Sequence, residues 1–409
     1  MRTVQSQPLT RAPFAATVSV MSVIAVVLAS QAYATIPLMP HLAEAWGVSE
    51  AAAAWTTSAF AIAYAVSSLF SGHLADRYGR RIVLVSSLGI MAATTLLLPM
   101  AGSLVIGCAL RAAQGAMAGF FAPVAYTYFS ERLDPARLAL ALTITSCSLG
   151  GTLVIGQVAG QVLGAELGWA AVFWLSAPLL AVGAVAAWRV MLADPPRRES
   201  PGAGSGSPLR TVLGSAPLVP LLSCAVAVLG GVTAVYTGVQ LFQPAGLGSD
   251  ADAMLALRAS ALPALIIAVL VTPKLARIPA LARAGGALGV AGAGMIGAAL
   301  LADRVTGLAI ALFVCVLGTS AAGPALVEAI GVRAGAARAI AIAVYSFILN
   351  FGAGAGAQLP PLVGEFTRLA GMLAIVFASC IGLVALAAKL GRQRDDTPPT
   401  RTESRVTAR

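Results

Sequence analysis

The chain has 409 residues, 58% of them apolar and only 10% charged, with a formal net charge of +10. A soluble domain carries about a quarter charged residues, so this composition excludes a soluble globular fold and points to an integral membrane protein. The positive charge does not mark a nucleic-acid partner, because the basic residues sit in short segments between long apolar runs, where they act as anchors beside a membrane.

Apolar runs long enough to span a bilayer occur near 15–38, 51–71, 82–100, 103–126, 138–162 and 169–190. A second set follows near 214–240, 254–273, 284–302, 305–327, 338–362 and 367–390. The expected fold is an all-α membrane protein of about twelve transmembrane helices in two pseudo-symmetric six-helix halves. Residues 1–192 form the first half and 212–391 the second. Between them, 193–211 is rich in Pro, Gly and Ser and is expected to be a cytosolic linker. The charged stretch 392–409 is expected to be a disordered cytosolic tail. At the start, Arg2 and Arg11, an apolar run and Ala32-Tyr33-Ala34 imitate a cleaved signal peptide. The run is longer than a signal core and completes a symmetric set of spans, so it is expected to be retained.

If the N-terminus is cytosolic, all of the 26 Lys and Arg fall on the inner side except Arg111, Arg258, Arg304 and Arg368. Arg258, Arg304 and Arg368 are expected at the outer side, and Arg111 within a span. This asymmetry predicts that both termini are cytoplasmic, in a bacterial inner membrane. The high Ala, Gly and Arg content suggests a GC-rich bacterial source. An offset of 201 aligns the halves, placing Leu74-Ala75 on Leu275-Ala276, Pro123 on Pro324, Arg132 on Arg333, Arg137 on Arg338 and Gln157 on Gln358. Such a duplication is the expected build of a transporter whose site lies between its halves.

The connection between the second and third runs reads Gly72-His73-Leu74-Ala75-Asp76-Arg77-Tyr78-Gly79-Arg80-Arg81. Gly72 is expected to admit a close neighbouring helix and Gly79 to allow a tight turn. Asp76 can face a helix N-terminus or pair with an arginine. A loop that merely fixes orientation accounts for Arg77, Arg80 and Arg81, but not for the acid and two glycines. The spacing Gly-x-Leu-Ala-Asp-Arg-x-Gly-Arg-Arg resembles the signature loop of the major facilitator superfamily, which implies a gating role for Gly72, Asp76, Arg77, Gly79 and Arg80. In the second half Asp76 falls on Arg277 and Gly72 on Pro273, so the charged latch is expected in the first half alone.

Arg111 stands about eight residues into the fourth run, roughly 12 Å along a helix. Burying it costs roughly 2.5–3.5 kcal/mol, unless it snorkels to the surface. Leu110-Arg111-Ala112-Ala113-Gln114-Gly115 resembles the superfamily's fourth-span pattern, Arg-x-x-Gln-Gly, whose arginine is implicated in proton coupling in drug exporters. Gly115 and Gly119 form a face suited to close helix contact. In the fifth run the exporter pattern Gly-Pro-x-x-Gly-Gly meets Gly156-Gln157-Val158-Ala159-Gly160-Gln161, which matches in place and spacing but has Gln for the proline and for the last glycine.

Polar residues recur at helical spacing: Gln31 and Thr35; Ser146, Gly150, Gln157 and Gln161; Thr233, Tyr236, Thr237 and Gln240; Ser346, Asn350 and Gln358. A single Ser or Thr of this kind serves as interhelical glue, while four such stripes favour a water-filled cavity. Arg111, Gln31, Gln114, Tyr236, Gln240, Asn350 and Gln358 are therefore the candidate substrate or coupling residues. No acid lies at the middle of a run, so Arg111 must be satisfied by Gln31, Gln114, backbone carbonyls or the substrate. The cavity is expected to be neutral to positive and to favour neutral or anionic molecules. Five cysteines without metal spacing and two histidines give no basis for a metal site, a cofactor or an enzyme. The resemblance implies a monomeric efflux permease exchanging a small organic molecule for protons by alternating access. An importer or uniporter, or a membrane sensor that binds without transporting, are the alternatives.

Overall fold

In the computed structural model the described residues are 11–194, 208–271 and 274–395. They form helices joined by short turns, with no strand among them. Eleven helices are long and apolar enough to cross a membrane, and a further apolar helix over Ile340–Gly356 is shorter. The spanning helices are α1 (Phe14–Ala34), α2 (Glu50–Tyr78), α3 (Arg80–Met100), α4 (Leu104–Arg132), α5 (Pro135–Leu167), α6 (Trp169–Val190), α7 (Val219–Phe242), α8 (Ala251–Ala268, its last turn reaching Val271), α9 (Ala280–Leu300) and α10 (Val305–Ala334). The last two are α11 (Arg338–Gly356) and α12 (Phe366–Asp395). Most of the expected linker, and the tail beyond 395, lie outside the described residues.

Helix breaks follow proline chemistry. A proline lacks the N–H that would reach the carbonyl four residues back, and its ring crowds that carbonyl. Pro123, Pro263 and Pro360 stand four residues after Gly119, Ala259 and Gly356, and the helices give way at those points. Pro178 and Pro324, in contrast, sit inside continuous helices.

Glycine decides how closely the helices meet. A Cβ at Gly115 of α4 would lie 2.0 Å from the Phe60 carbonyl oxygen of α2, and one at Gly119 would lie 2.5 Å from that of Tyr64. On α5, Gly156 and Gly160 sit against the carbonyls of Ser30 and Ala34 of α1. The second set repeats the device: Gly352 and Gly356 of α11 lie on Val226 and Gly230 of α7, and Gly318 of α10 on Ala287 and Ala291 of α9. With no hydrophobic drive between helices in lipid, such contacts supply the dispersion that holds a bundle together.

Pairings recur six helices on. The α1–α5, α2–α4 and α3–α6 contacts of the first set reappear as α7–α11, α8–α10 and α9–α12. The two sets meet through α2 with α11 and through α5 with α8. One end of the bundle, where α1 starts, carries Arg80, Arg81, Arg132, Arg137, Arg189, Arg283, Arg333 and Arg338; this is the basic end. The opposite, acidic end carries Glu44, Glu50, Glu166, Asp250, Asp252, Asp303 and Glu365. There Trp46 stands edge-on to Trp169 at 6.5 Å and donates its indole N–H to Ala101 at 2.7 Å, an arrangement suited to a membrane interface.

The segment from Gly72 to Arg81 differs from expectation. Gly72, Asp76 and Arg77 lie on α2, which continues to Tyr78, and only Gly79 (φ 92°) breaks the chain before α3 begins at Arg80. Without a helix-breaking residue before Gly79, the α2 hydrogen bonds continue beyond the apolar run. Gly72 faces open space, so it does not serve a close helix contact. Asp76 pairs with Arg80 at 3.1 Å, and Arg80 also holds Glu131 at 2.6 Å. The acid at the start of α3 is instead Asp194, which accepts the Arg81 backbone N–H at 3.1 Å. Arg81 also donates to the Trp188 carbonyl and lies over its ring at 3.8 Å.

These two glycines therefore predict opposite outcomes. Gly115→Ala should destabilise the protein by about 1–3 kcal/mol, because α2 backbone must move, while Gly72→Ala should be neutral or slightly stabilising. Thermal unfolding of both variants in detergent checks this; equal melting temperatures would count against the packing account.

Candidate functional site

Arg111 is the eighth residue of the first segment of α4 and is fully buried. Its neighbours are fixed by the glycine contacts that press α4 onto α2. One terminal nitrogen donates to Gln114 Oε1 at 2.7 Å and the other to the Gln31 carbonyl of α1 at 2.7 Å, while Nε donates to the Thr56 carbonyl of α2 at 3.3 Å. The guanidinium also lies over the Phe60 ring, 4.5 Å from its centroid. Gln114 donates in turn to the Thr94 carbonyl of α3 at 3.2 Å. The charge is thus spread over carbonyl dipoles and a ring, with no paired carboxylate among the described residues. Gln31 meets Arg111 through its backbone; its side chain donates to Ser176 of α6 at 2.9 Å and leaves Oε1 unpartnered.

A second arginine was not expected here. Arg258 is the eighth residue of α8 and only 2% exposed, so it is not a residue of the outer surface. The apolar run near 254 suggested a later start, whereas Asp250 caps the helix by accepting the Ala253 N–H at 2.9 Å and begins it earlier. This places Arg258 two turns deep. It donates to Gln240 Oε1 of α7 at 2.5 Å and to Gln161 Oε1 of α5. Tyr236 of α7 lies close enough to interact with it electrostatically. Gln161 also donates to the Ala251 carbonyl at 2.8 Å. The sequence signals were the polar stripes that contain Tyr236 and Gln240 on one helix and Gln161 on another.

The remaining candidates separate. Gln358 lies just beyond α11 and donates to Ser58 Oγ of α2 at 2.8 Å, and Ser58 donates to the Gly354 carbonyl at 2.7 Å. Asn350 donates to the Ser346 carbonyl one turn back at 2.9 Å. Gln157 likewise donates to its own helix, at the Leu153 carbonyl. Ser146 bonds Tyr126 at 2.8 Å, and Tyr126 and Tyr33 both lie within electrostatic reach of Tyr64. These three tyrosines come from α1, α2 and α4, and no local sequence pattern links them because they are far apart along the chain. A groove of about 580 Å³ runs along α2 and α4, lined by Trp55, Ile62, Val66, Phe70, Ala116 and others. Its apolar walls hold none of the candidate polar residues and suit acyl chains.

Among the described residues no group of His, Cys, Asp and Glu could hold a metal ion. The five cysteines are free thiols; Cys224, Cys315 and Cys380 are buried.

Residues 21–357 match the family model described as Major Facilitator Superfamily. The chain is similar to the tetracenomycin C resistance and export protein of Streptomyces glaucescens, with 29% identity over 36% of this chain and 27% of that protein. It is similar to the cephamycin export protein CmcT of Amycolatopsis lactamdurans, with 30% identity over 34% of this chain and 29% of that protein. It is also similar to the multidrug resistance protein MdtG of Serratia proteamaculans, with 33% identity over 36% of each. The matched stretches thus span about a third or less of these relatives' length. The family match runs through eleven of the twelve helices: the chain belongs to the Major Facilitator Superfamily.

Proposed function

We propose that this protein is a secondary active exporter of a small organic molecule, neutral or anionic, working by alternating access and coupled to proton entry. The observation that carries the reading is the pair of buried arginines, Arg111 and Arg258, without paired carboxylates in a bundle whose two six-helix sets meet at seams. Buried cations with no carboxylate partner among the described residues repel cationic drugs from the bundle interior and suit neutral or anionic ones. The seams, Ser58 with Gln358 and Gln161 with Arg258, both lie toward the acidic end. Parting them while the basic end closes is the rocking motion that alternating access requires. The two halves are residues 1–192 and 212–391, joined by 193–211. Basic residues gathered at one end support that end, and both termini, facing the cytoplasm of a bacterial inner membrane. One chain contains both halves and so can act as a monomer. The relatives named as export proteins support the direction.

Uptake into inverted vesicles or proteoliposomes, with and without an imposed pH gradient, tests the reading. Gradient-dependent movement out of the cytoplasmic compartment supports it. Movement independent of the gradient points to a uniporter, opposite movement to an importer, and binding without flux to a sensor.

Two variants refine it. Arg111→Lys keeps the charge but cannot reach three acceptors at once, so transport should fall at least tenfold while the protein still elutes as a folded species. Wild-type flux would mean that the guanidinium fork is immaterial. Asp76→Asn removes a half-exposed pair whose loss should cost no more than about 1 kcal/mol here, since Glu131 still holds Arg80. Transport should nevertheless drop several-fold, because the latch acts in the other conformation. Unfolding temperature and flux, measured on one preparation, separate the two effects; unchanged flux would reduce Asp76 to an anchor.

A further inference from the structure

We propose that Arg258 is the docking point for a carboxylate on the transported molecule, whereas Arg111 is closed to substrate. The inference rests on the transport reading and names the ligand chemistry of its site. The two arginines occupy equivalent depths, yet their surroundings differ. Arg111 has every nitrogen engaged, by Thr56, Gln114 and Gln31, and one face covered by Phe60. All of these belong to the first six helices, so moving the two sets apart leaves that arrangement intact.

Arg258 is under-satisfied. Its Nε is buried without a partner, and so are the hydroxyls of Thr233, Tyr236 and Thr237 on the facing helix α7. Tyr236 is 1% exposed and Thr237 0%. Every one of these groups can donate a hydrogen bond. The acceptors that meet the guanidinium are two amide oxygens, from Gln161 and Gln240. A buried donor without a partner is costly, and among these Tyr236 lies within electrostatic reach of the Arg258 cation, one turn from Gln240 on the same helix. The missing component is an acceptor with negative charge. A carboxylate offers two oxygens with about four lone-pair sites and matches the guanidinium fork bidentately, which an amide oxygen cannot.

The position of Gln161 adds a timing. It belongs to the first set, while Arg258, Gln240 and Tyr236 belong to the second. When the α5–α8 seam parts, Gln161 leaves and Arg258 gains a free terminal nitrogen facing the gap. A carboxylate arriving there replaces the amide and draws on the unpartnered donors. Gln161 is thus a neutral stand-in that holds the site shut when no anion occupies it.

The experiment uses matched aromatic probes, 2-naphthoate and its uncharged isostere 2-naphthamide. Their binding to the purified full-length protein is measured by ligand-induced thermal shift and by competition, and export of both probes by the wild type is followed in parallel. The wild type is expected to bind the carboxylate at least tenfold more tightly than the amide. Arg258→Gln should reduce that preference to less than twofold. Arg258→Lys, which keeps the charge without the fork, should retain part of it, and provides the readout if the Gln variant is unstable. Gln161→Ala should bind the carboxylate at least as tightly as the wild type, because a competing acceptor is gone. A wild type without carboxylate preference, or a preference that survives Arg258→Gln, overturns the proposal and leaves water as the partner of these donors. Loss of the preference in Gln161→Ala also overturns it, reducing the cluster to a fastener between the halves. If the wild type exports the amide yet shows no preference, the anion site falls and the transport reading stands. If neither probe is moved while the carboxylate preference holds, the reverse is true.

Discussion

Backbone and charged groups inside a bilayer have no water to turn to, and everything else in this molecule answers to that constraint. The helices satisfy their own backbones and associate where side chains are absent, carbonyl against glycine, as at Gly115 on Phe60 and Gly356 on Gly230. The same close approach assembles the Arg111 environment. With α4 pressed onto α2, the carbonyls of Gln31 and Thr56 and the Phe60 ring come within reach of one guanidinium, which then needs no acid. Packing and electrostatics are one arrangement here: widening the α2–α4 contact by a methyl group disturbs the ligands of the buried charge.

The internal repetition relates the two seams between the sets. Adding six to each helix number turns α2–α11 into α8–α5, so the two seams exchange under the pseudo-twofold operation. Their geometry is related, but their chemistry is not. One seam is neutral, built from Ser58, Gly354 and Gln358, and the other carries Arg258. Most glycine-packed pairs lie within a set, but the α2–α11 seam has one too: a Cβ at Gly354 would lie 3.2 Å from the Ser58 carbonyl of α2. The α5–α8 seam, joined through Gln161, is the more lightly packed of the two.

Much of the fold was legible because the solvent imposes it. A run of twenty apolar residues has one outcome in a membrane, and helix pairings recur six helices on, although of the two aligned prolines Pro123 breaks its helix and Pro324 does not. Arg111 was legible because its depth was unambiguous and the acids were missing. Arg258 was not, because its helix start was read four residues from it; the Asp250 cap moved that start outward, and its main partner Gln161 is distant in sequence. Asp194 escaped for a related reason: it borders a Pro-rich segment and looked like linker, although its carboxylate caps α3. Side chains whose role depends on a partner far along the chain leave no local pattern. The polar stripes show the same limit, since Gln240 and Gln161 converge while Gln157 and Asn350 turn back on their own helices.

The unequal seams have an electrical consequence. A guanidinium fixed about two turns inside one end of the bundle, with no carboxylate moving beside it, is a net charge within the transmembrane field. Carrying one elementary charge across the whole field involves about 2.3 kcal/mol per 100 mV. If parting the α5–α8 seam shifts Arg258 through a quarter of that field, the work is about 0.6 kcal/mol, enough to change the ratio of the two conformations about threefold. Under the proposed alternating-access cycle, membrane voltage would then bias which way the protein faces through a residue of its own.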